Sequence, residues 1–216
     1  MVGYSIGRVH THAWLNIPLY YYPPPARPVL VGVAGRNIER VKEFAWKYGY
    51  KKTYDNARDL VNDPDVDVVD LCTPPYAHSD IAVQAFESGK HVVCEKPLAR
   101  TGKEAETMLR AAEKAGVKHM TAFNYRFIPA VTYAKKLITE GFVGRVLSFR
   151  GAYLNIEVGD LGYISPEFPL DWHFKNETAG YGALSDLGSH ILDIARFLVE
   201  LNTDPSAHDK VKPNSL

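Results

Sequence analysis

Between Pro28 and His119 short β-rich runs alternate with segments whose apolar residues recur at helical spacing. No other feature constrains the fold as much. Strand, helix and strand in regular succession join parallel strands through helical crossovers, so the fold class is α/β with a parallel sheet covered by helices. PVLVGVAG (28–35) predicts a strand, and Asn37 caps a helix over Ile38–Tyr48 with Val41, Phe44 and Ala45 on its buried side. VDVVDLC (66–72) is the next strand. AHSDIAVQAFESGK (77–90) carries Ile81, Ala82, Ala85 and Phe86 at helical spacing and closes at Gly89. HVVCE (91–95) is a strand, a long helix runs from Thr101 through Ala115 to Gly116, and VKHMTAF (117–123) is a further strand. The pattern is doubly wound.

After Phe123 the rhythm changes. A helix from about Pro129 to Glu140, a strand RVLSFRGAYLN (145–155), an irregular loop rich in Gly, Pro and aromatics, and a helix GALSDLGSHILDIARFLVE (182–200) read as a second domain. The expected division is 1–123 and 124–216, with a polar tail from about 201 read as disordered. YYYPPPARP (20–28) reads as a long loop.

Lys plus Arg and Asp plus Glu both total 25, so no basic field exists to hold a phosphate backbone, and nucleic acid is excluded as a partner. Cys72 and Cys94 each close an apolar run and read as buried thiols of a reducing, cytoplasmic compartment. No membrane span or secretory leader is expected.

A dinucleotide fold opens with a strand, a G-x-G-x-x-G turn and a helix whose N-terminus holds the pyrophosphate. Here the chain opens MVGYSIGRVHTHAW. Gly3, Ser5, Ile6 and Gly7 resemble that turn at a spacing one residue short, with almost nothing left for the strand before it. A flexible N-terminus is the alternative. Where NAD-binding chains carry an acid after the second strand, this one has Gly35-Arg36-Asn37. An Arg there can face a 2′-phosphate or simply start a helix in solvent, leaving the cofactor as NAD or NADP.

HVVCEKPLAR ends a strand in two opposite charges and a proline. Asp186, His190 and Asp193 fall at i, i+4 and i+7 of the last helix, so Asp186 and His190 can hydrogen-bond and orient the imidazole as a proton acceptor. An ion pair at Glu95-Lys96 and a satisfied histidine in the helix are the structural alternatives, although neighbours on a strand point to opposite faces.

CTPPYAH, GKHVVCEKPLA, FNYRFIPA and GALSDLGSHILDIARFL, in this order and spacing, resemble the glucose–fructose oxidoreductase and inositol dehydrogenase (Gfo/Idh/MocA) family from about Gly3 to Leu198. The resemblance implies a Rossmann dinucleotide-binding domain followed by the start of an α+β domain with an incomplete antiparallel sheet. It also implies hydride transfer between nicotinamide and a secondary alcohol of a sugar, inositol or related polyol. Lys96 would reach the nicotinamide ribose and the substrate oxygen, Glu95 would lie beside the cofactor, and Pro97 would fix the turn through a cis bond. Asp186 and His190 would stand across the cleft from the lysine, with His190 taking the proton, Asp186 supporting it and Lys96 stabilising the oxygen. Thr73, Pro74 and His78 resemble the loop along the cofactor, with Pro75 where relatives often carry Asn. Asn124, Tyr125, Arg126 and Trp172 would line the substrate site. Tyr153 could add a stacking surface or belong to an aromatic core, and His173 stands where relatives often have Arg. No metal is expected. Full-length relatives imply a homo-oligomer, and the short front end and sheet imply an incomplete or degraded copy. Two further readings remain open: an NAD-dependent glycosidase of the same fold, and a relative that has lost the chemistry.

Overall fold

The computed structural model describes residues 1–154, 176–179 and 181–199. They fall into two units, 1–122 with 176–179, and 123–154 with 181–199. In chain order the elements are α1 (Gly7–Tyr20), β1 (Gly32–Ala34), α2 (Ile38–Tyr48), β2 (Lys52–Tyr54), α3 (Ala57–Asn62), β3 (Val68–Leu71), α4 (His78–Glu87), β4 (His91–Cys94), α5 (Gly102–Ala115), β5 (His119–Thr121), α6 (Pro129–Thr139), α7 (Asn176–Ala179) and α8 (Ser189–Val199). The first unit holds all five strands and α7; α6 and α8 belong to the second.

Among the described residues all strand pairings are parallel. β1 runs beside β2 with Val33 opposite Thr53, and β3, β4 and β5 lie side by side with Val69 opposite Val92 and Cys94 opposite Thr121. The sequence leaves almost no residues for a first strand, and two residues hold its place. Val2 pairs in parallel with both Ala34 and Leu71. Its N–H donates to Asp70 O at 2.8 Å, its carbonyl accepts from Cys72 N at 2.8 Å, and Gly3 N donates to Ala34 O at 3.0 Å. The sheet therefore reads β2, β1, Val2, β3, β4, β5, the doubly wound order.

The helices start and stop where their caps lie. Asn37 and Thr101 accept from the N–H groups of Arg40 and Glu104 at 3.1 and 3.2 Å. Gly49 and Gly116 take the left-handed conformation at φ 80° and 67°, turning the chain out of α2 and α5. The apolar faces that these caps aim inward close a core in which Leu60, Val69, Leu71, Ala82 and Ala85 are fully buried. Cys94 is a buried free thiol in it, and Cys72 is one in a second cluster with Val33, Val41 and Ala45.

Several elements differ from expectation. The strand expected over 28–35 is confined to Gly32–Ala34, and α1 runs on through Tyr20 into the stretch read as loop. β2 and α3 span three and six residues, too short for a periodicity to register, although Asn56 caps α3 by accepting from Asp59 N at 2.9 Å. Residues 145–154 carry no strand, which corrects the expected RVLSFRGAYLN element. A strand is sustained by its ladder partner, and among the described residues this segment has none. It lies instead against α8, where a Cβ added at Gly151 would meet Ile191 Cγ2 at 2.8 Å. The expected uniform last helix is also corrected: Leu184–Gly188 is a π-helical turn, and α8 begins only at Ser189. Gly188 accommodates the wider turn, since a Cβ there would come within 2.8 Å of Leu184 Cδ1. No helix among the described residues is long and apolar enough to cross a membrane.

Candidate functional site

Because the strands of the first unit are parallel, their carboxyl ends share one edge. Gly3, Gly35-Arg36, Thr73-Pro74 and Glu95-Lys96 each follow such an end, those of Val2, β1, β3 and β4. Four stretches far apart in sequence thus meet where ligands of open α/β sheets bind.

Gly3 has φ 89°, and a Cβ there would lie 2.5 Å from Cys72 O, so both conformation and space demand glycine. Gly7 opens α1 and is buried against Met1, with a Cβ meeting Met1 Sδ at 2.9 Å. Ser5 and Ile6 are exposed between them, and Ile6, the residue just before α1, offers no side-chain cap to its amides. Thr73 Oγ1 is buried with no hydrogen-bond partner among the described residues. A tight glycine turn, a helix start without a side-chain cap and an unspent hydroxyl fit the diphosphate of a dinucleotide. Arg36 is exposed immediately beyond β1.

His78 is fully buried, and its ring nitrogens face Thr73 O at 2.8 Å and Pro97 O and Leu98 O at 3.1 and 3.3 Å. It therefore clamps the Thr73 loop to the turn after Lys96, where the sequence suggests a group along the cofactor. Burial holds its pKa below the ordinary value despite these carbonyls. Pro75 starts a short 3₁₀ turn, Pro75–Ala77, and is buried. The Lys96–Pro97 peptide is cis.

Glu95 does not turn its carboxylate outward. One oxygen accepts from the His10 ring, Nε2 to Oε1 2.8 Å, and the other from the backbone N–H of Lys96 at 2.8 Å. On its other side the His10 ring faces both Asp70 oxygens, Nδ1 to Oδ1 3.0 Å and to Oδ2 3.2 Å, and Trp14 Nε1 donates to the same carboxylate at 2.6 Å. Burial opposes a charged ring, but the bonds to Asp70, Cys72 and Glu95 prevail and push the His10 pKa up to about 12. Burial likewise opposes ionisation of Asp70, yet His10 and Trp14 hold its carboxyl below the usual range. Donor atoms of His10, Asp70 and Cys72 lie within 4.8 Å of one another. Those donors are already spent on each other, and burial pushes the Cys72 thiol up to about 12, far from the thiolate that a metal needs.

Sequence reasoning passed over His10, Asp70 and Trp14. The signal was Asp70, an acid between fully buried Val69 and Leu71 that had to have a partner.

In the second unit the FNYRF stretch forms a 3₁₀ turn at Asn124–Phe127 and brings two of its residues to α8. The His190 ring stacks on Tyr125 with centroids 4.3 Å apart and planes at 21°. Phe123 and Tyr153 meet it edge-on at 5.9 and 6.2 Å. Tyr125 Oη and Tyr153 Oη share a hydrogen bond of 2.5 Å, so Tyr153 serves the aromatic cage. Arg126 donates to Asp193 through Nε at 2.7 Å and Nη2 at 2.5 Å. This bond raises the arginine's pKa and makes it a brace between the turn and α8. Asp186 sits on the π turn, so Asp186 and His190 lie on either side of the junction between π and α geometry. Asn124 is exposed. Trp172 and His173 lie outside the described residues.

Residues 1–123 match the family described as "Oxidoreductase family, NAD-binding Rossmann fold", and residues 131–208 match "GFO/IDH/MocA C-terminal domain". The chain belongs to the Gfo/Idh/MocA oxidoreductase family. It is 45% identical over 197 residues to a levoglucosan dehydrogenase of Pseudarthrobacter phenanthrenivorans, covering 91% of this chain and 49% of that protein. It is 34% identical to a 1,5-anhydro-D-fructose reductase of Ensifer adhaerens, covering 82% of this chain and 50% of the other. The solved structure of a levoglucosan dehydrogenase in complex with NADH and levoglucosan superposes with a TM-score of 0.84 at 44% identity, over 92% of this chain and 52% of that one. The chain thus spans about half the length of the relatives it matches.

Proposed function

We propose that the chain acts as an NAD(P)-dependent oxidoreductase on a secondary alcohol of a sugar, inositol or related polyol, with an anhydrosugar of the levoglucosan type as the first candidate. The observation that carries this reading is the Glu95-Lys96 turn at the carboxyl end of β4, on the same sheet edge as the Gly3 turn and the unspent Thr73 hydroxyl. Nicotinamide, when bound, supplies the hydride acceptor or donor.

Gly3, Ser5, Ile6, Gly7, Thr73 and Pro74 hold the diphosphate side, and Arg36 the adenosine ribose. Lys96 stabilises the substrate oxygen as it gains negative charge, and His190 takes its proton during oxidation. Tyr125 keeps the His190 ring in one orientation by stacking on it, and Asp186 supports the charge that the ring acquires. Asn124, Tyr125 and Trp172 contact the sugar, while Arg126, engaged by Asp193, shapes that surface from behind. The two buried free thiols fit a cytoplasmic enzyme, and a homo-oligomer belongs to the same reading.

Titration of the purified chain with NADH and NADPH, followed by nicotinamide fluorescence, tests the cofactor half. Saturable binding is expected, and preference for NADPH that is lost in Arg36→Ala identifies the 2′-phosphate contact. In turnover of levoglucosan or inositols, Lys96→Ala and His190→Asn should each lose about 10²–10³-fold in kcat. A folded chain that binds neither dinucleotide overturns the reading, and near-normal turnover in either variant removes that residue's role.

A further inference from the structure

We propose that His10 is a positioning residue for Lys96: its ring, held between Asp70 and Glu95, fixes the Glu95 carboxylate, which in turn holds the Lys96 backbone where the lysine leaves β4. The role given to Lys96 rests on the function proposed above; the linkage itself rests on geometry alone.

The linkage is a continuous chain of polar contacts. Asp70 is anchored in β3 between two fully buried residues and is held again by Trp14 at 2.6 Å. His10 spans from that fixed carboxylate at 3.0 Å to Glu95 at 2.8 Å. Both ring nitrogens face carboxylate oxygens, which only accept, so the ring carries both protons and donates in both directions. Glu95 uses its second oxygen for the Lys96 N–H at 2.8 Å. Each member is largely shielded, with side-chain exposures of 16% for His10, 6% for Asp70 and 15% for Glu95. Charge-assisted bonds in such surroundings are strong and directional.

Without His10 the Glu95 side chain regains its rotamers and the Lys96 amide loses a fixed acceptor. His10 also lies one helical turn after Gly7, so the helix that opens at the glycine turn sets the position of the lysine. A residue that only filled space would need neither two carboxylate partners nor a path to the Lys96 backbone.

Amide hydrogen exchange of the ¹⁵N-labelled 216-residue chain tests this. In His10→Ala the Lys96 amide should exchange about tenfold faster or more, while Val69 and Leu71 in β3 keep their wild-type rates. The same change in Glu95→Ala, with no further increase in the double variant, is expected if His10 acts through Glu95. His10→Gln, which keeps a donor and most of the volume, should fall between the two and serves where the alanine variant does not fold. An unchanged Lys96 rate in a folded His10 variant, or independent effects that add in the double variant, would overturn the proposal. The wild-type NADH titration is read separately. A chain that binds no dinucleotide defeats the proposed function, and the exchange data still decide the linkage. Where turnover is measurable, His10→Ala should lower kcat with little change in NADH affinity.

Discussion

The two units hold their candidate groups by opposite means. In the first, an apolar core with Leu60, Val69 and Leu71 fully buried carries a sheet, and the polar groups stand at the sheet's edge on that rigid base. In the second, the buried residues among those described are His190 and Asp193, both polar, while Leu147 and Leu154 are 80% and 90% exposed. There a candidate group, His190, is itself among what is buried, secured by ring stacking, and Asp193 is held in a bidentate ion pair. A packed sheet keeps its fold when one contact at its edge is lost. A site that is its own interior does not separate function from stability so cleanly.

The contrast can be broken first at the core. Leu71→Ala in the first unit should cost about 2–5 kcal/mol in urea unfolding, since a fully buried leucine leaves a cavity in a sheet that cannot collapse. A cost under about 1 kcal/mol would mean that the first unit is no better packed than the second. Next in size is Asp193→Asn, which weakens the brace on Arg126. About 2 kcal/mol is expected, less than the ~3–5 kcal/mol of a fully buried pair, because the Arg126 side chain is 40% exposed. The same variant should shift the NMR signals of the His190 ring, which lies one turn before Asp193 on α8.

Titration sharpens the comparison further. The His10 pKa is raised from 6.5 to about 12, so its stabilisation is complete below about 6.5 and is lost progressively as pH climbs toward 12. Asp70 is lowered, so its share is present above its ordinary value and is lost as pH falls through the folded one. The Met1 amine and His78 are both lowered by burial and act with the opposite sign to His10. The informative quantity is therefore the difference between wild type and His10→Gln, which should shrink from about pH 6 to about pH 9.5. A difference independent of pH would mean that the ring is neutral in the fold. The smallest effect expected is that of Leu147→Ala, within about 0.5 kcal/mol for a side chain 80% exposed.

Much of the first unit was legible because its signals are local. Asn37, Thr101, Gly49 and Gly116 bound their helices by chemistry within one turn, and the apolar runs of β3 and β4 lie where the pattern puts them. β2 and α3 were missed because elements of three and six residues carry no period. The second unit was harder. RVLSFRGAYLN has the composition of a strand, but a strand depends on a partner as well as on propensity. The π turn before α8 was invisible because Asp186, His190 and Asp193 keep helical spacing in sequence whether the backbone winds as α or π. In the candidate site, the motifs directed attention to Glu95, Lys96, Tyr125 and His190. What Glu95 and His190 touch could not be read from them.

Sequence alone determined the longer helices of the first unit, the β3 and β4 runs, the parallel sheet and the family, because periodicity, capping and motif spacing are written within a few residues of one another. Tertiary structure decided the partnerships. Val2 and Gly3 stand in for a strand, His78 clamps two loops, Arg126 serves Asp193, and His10 joins Asp70 to Glu95 across 60 and 85 residues of chain. The physical reason is that a hydrogen bond or ion pair depends on distance in space, and only the assembled sheet and the packed helices set that distance.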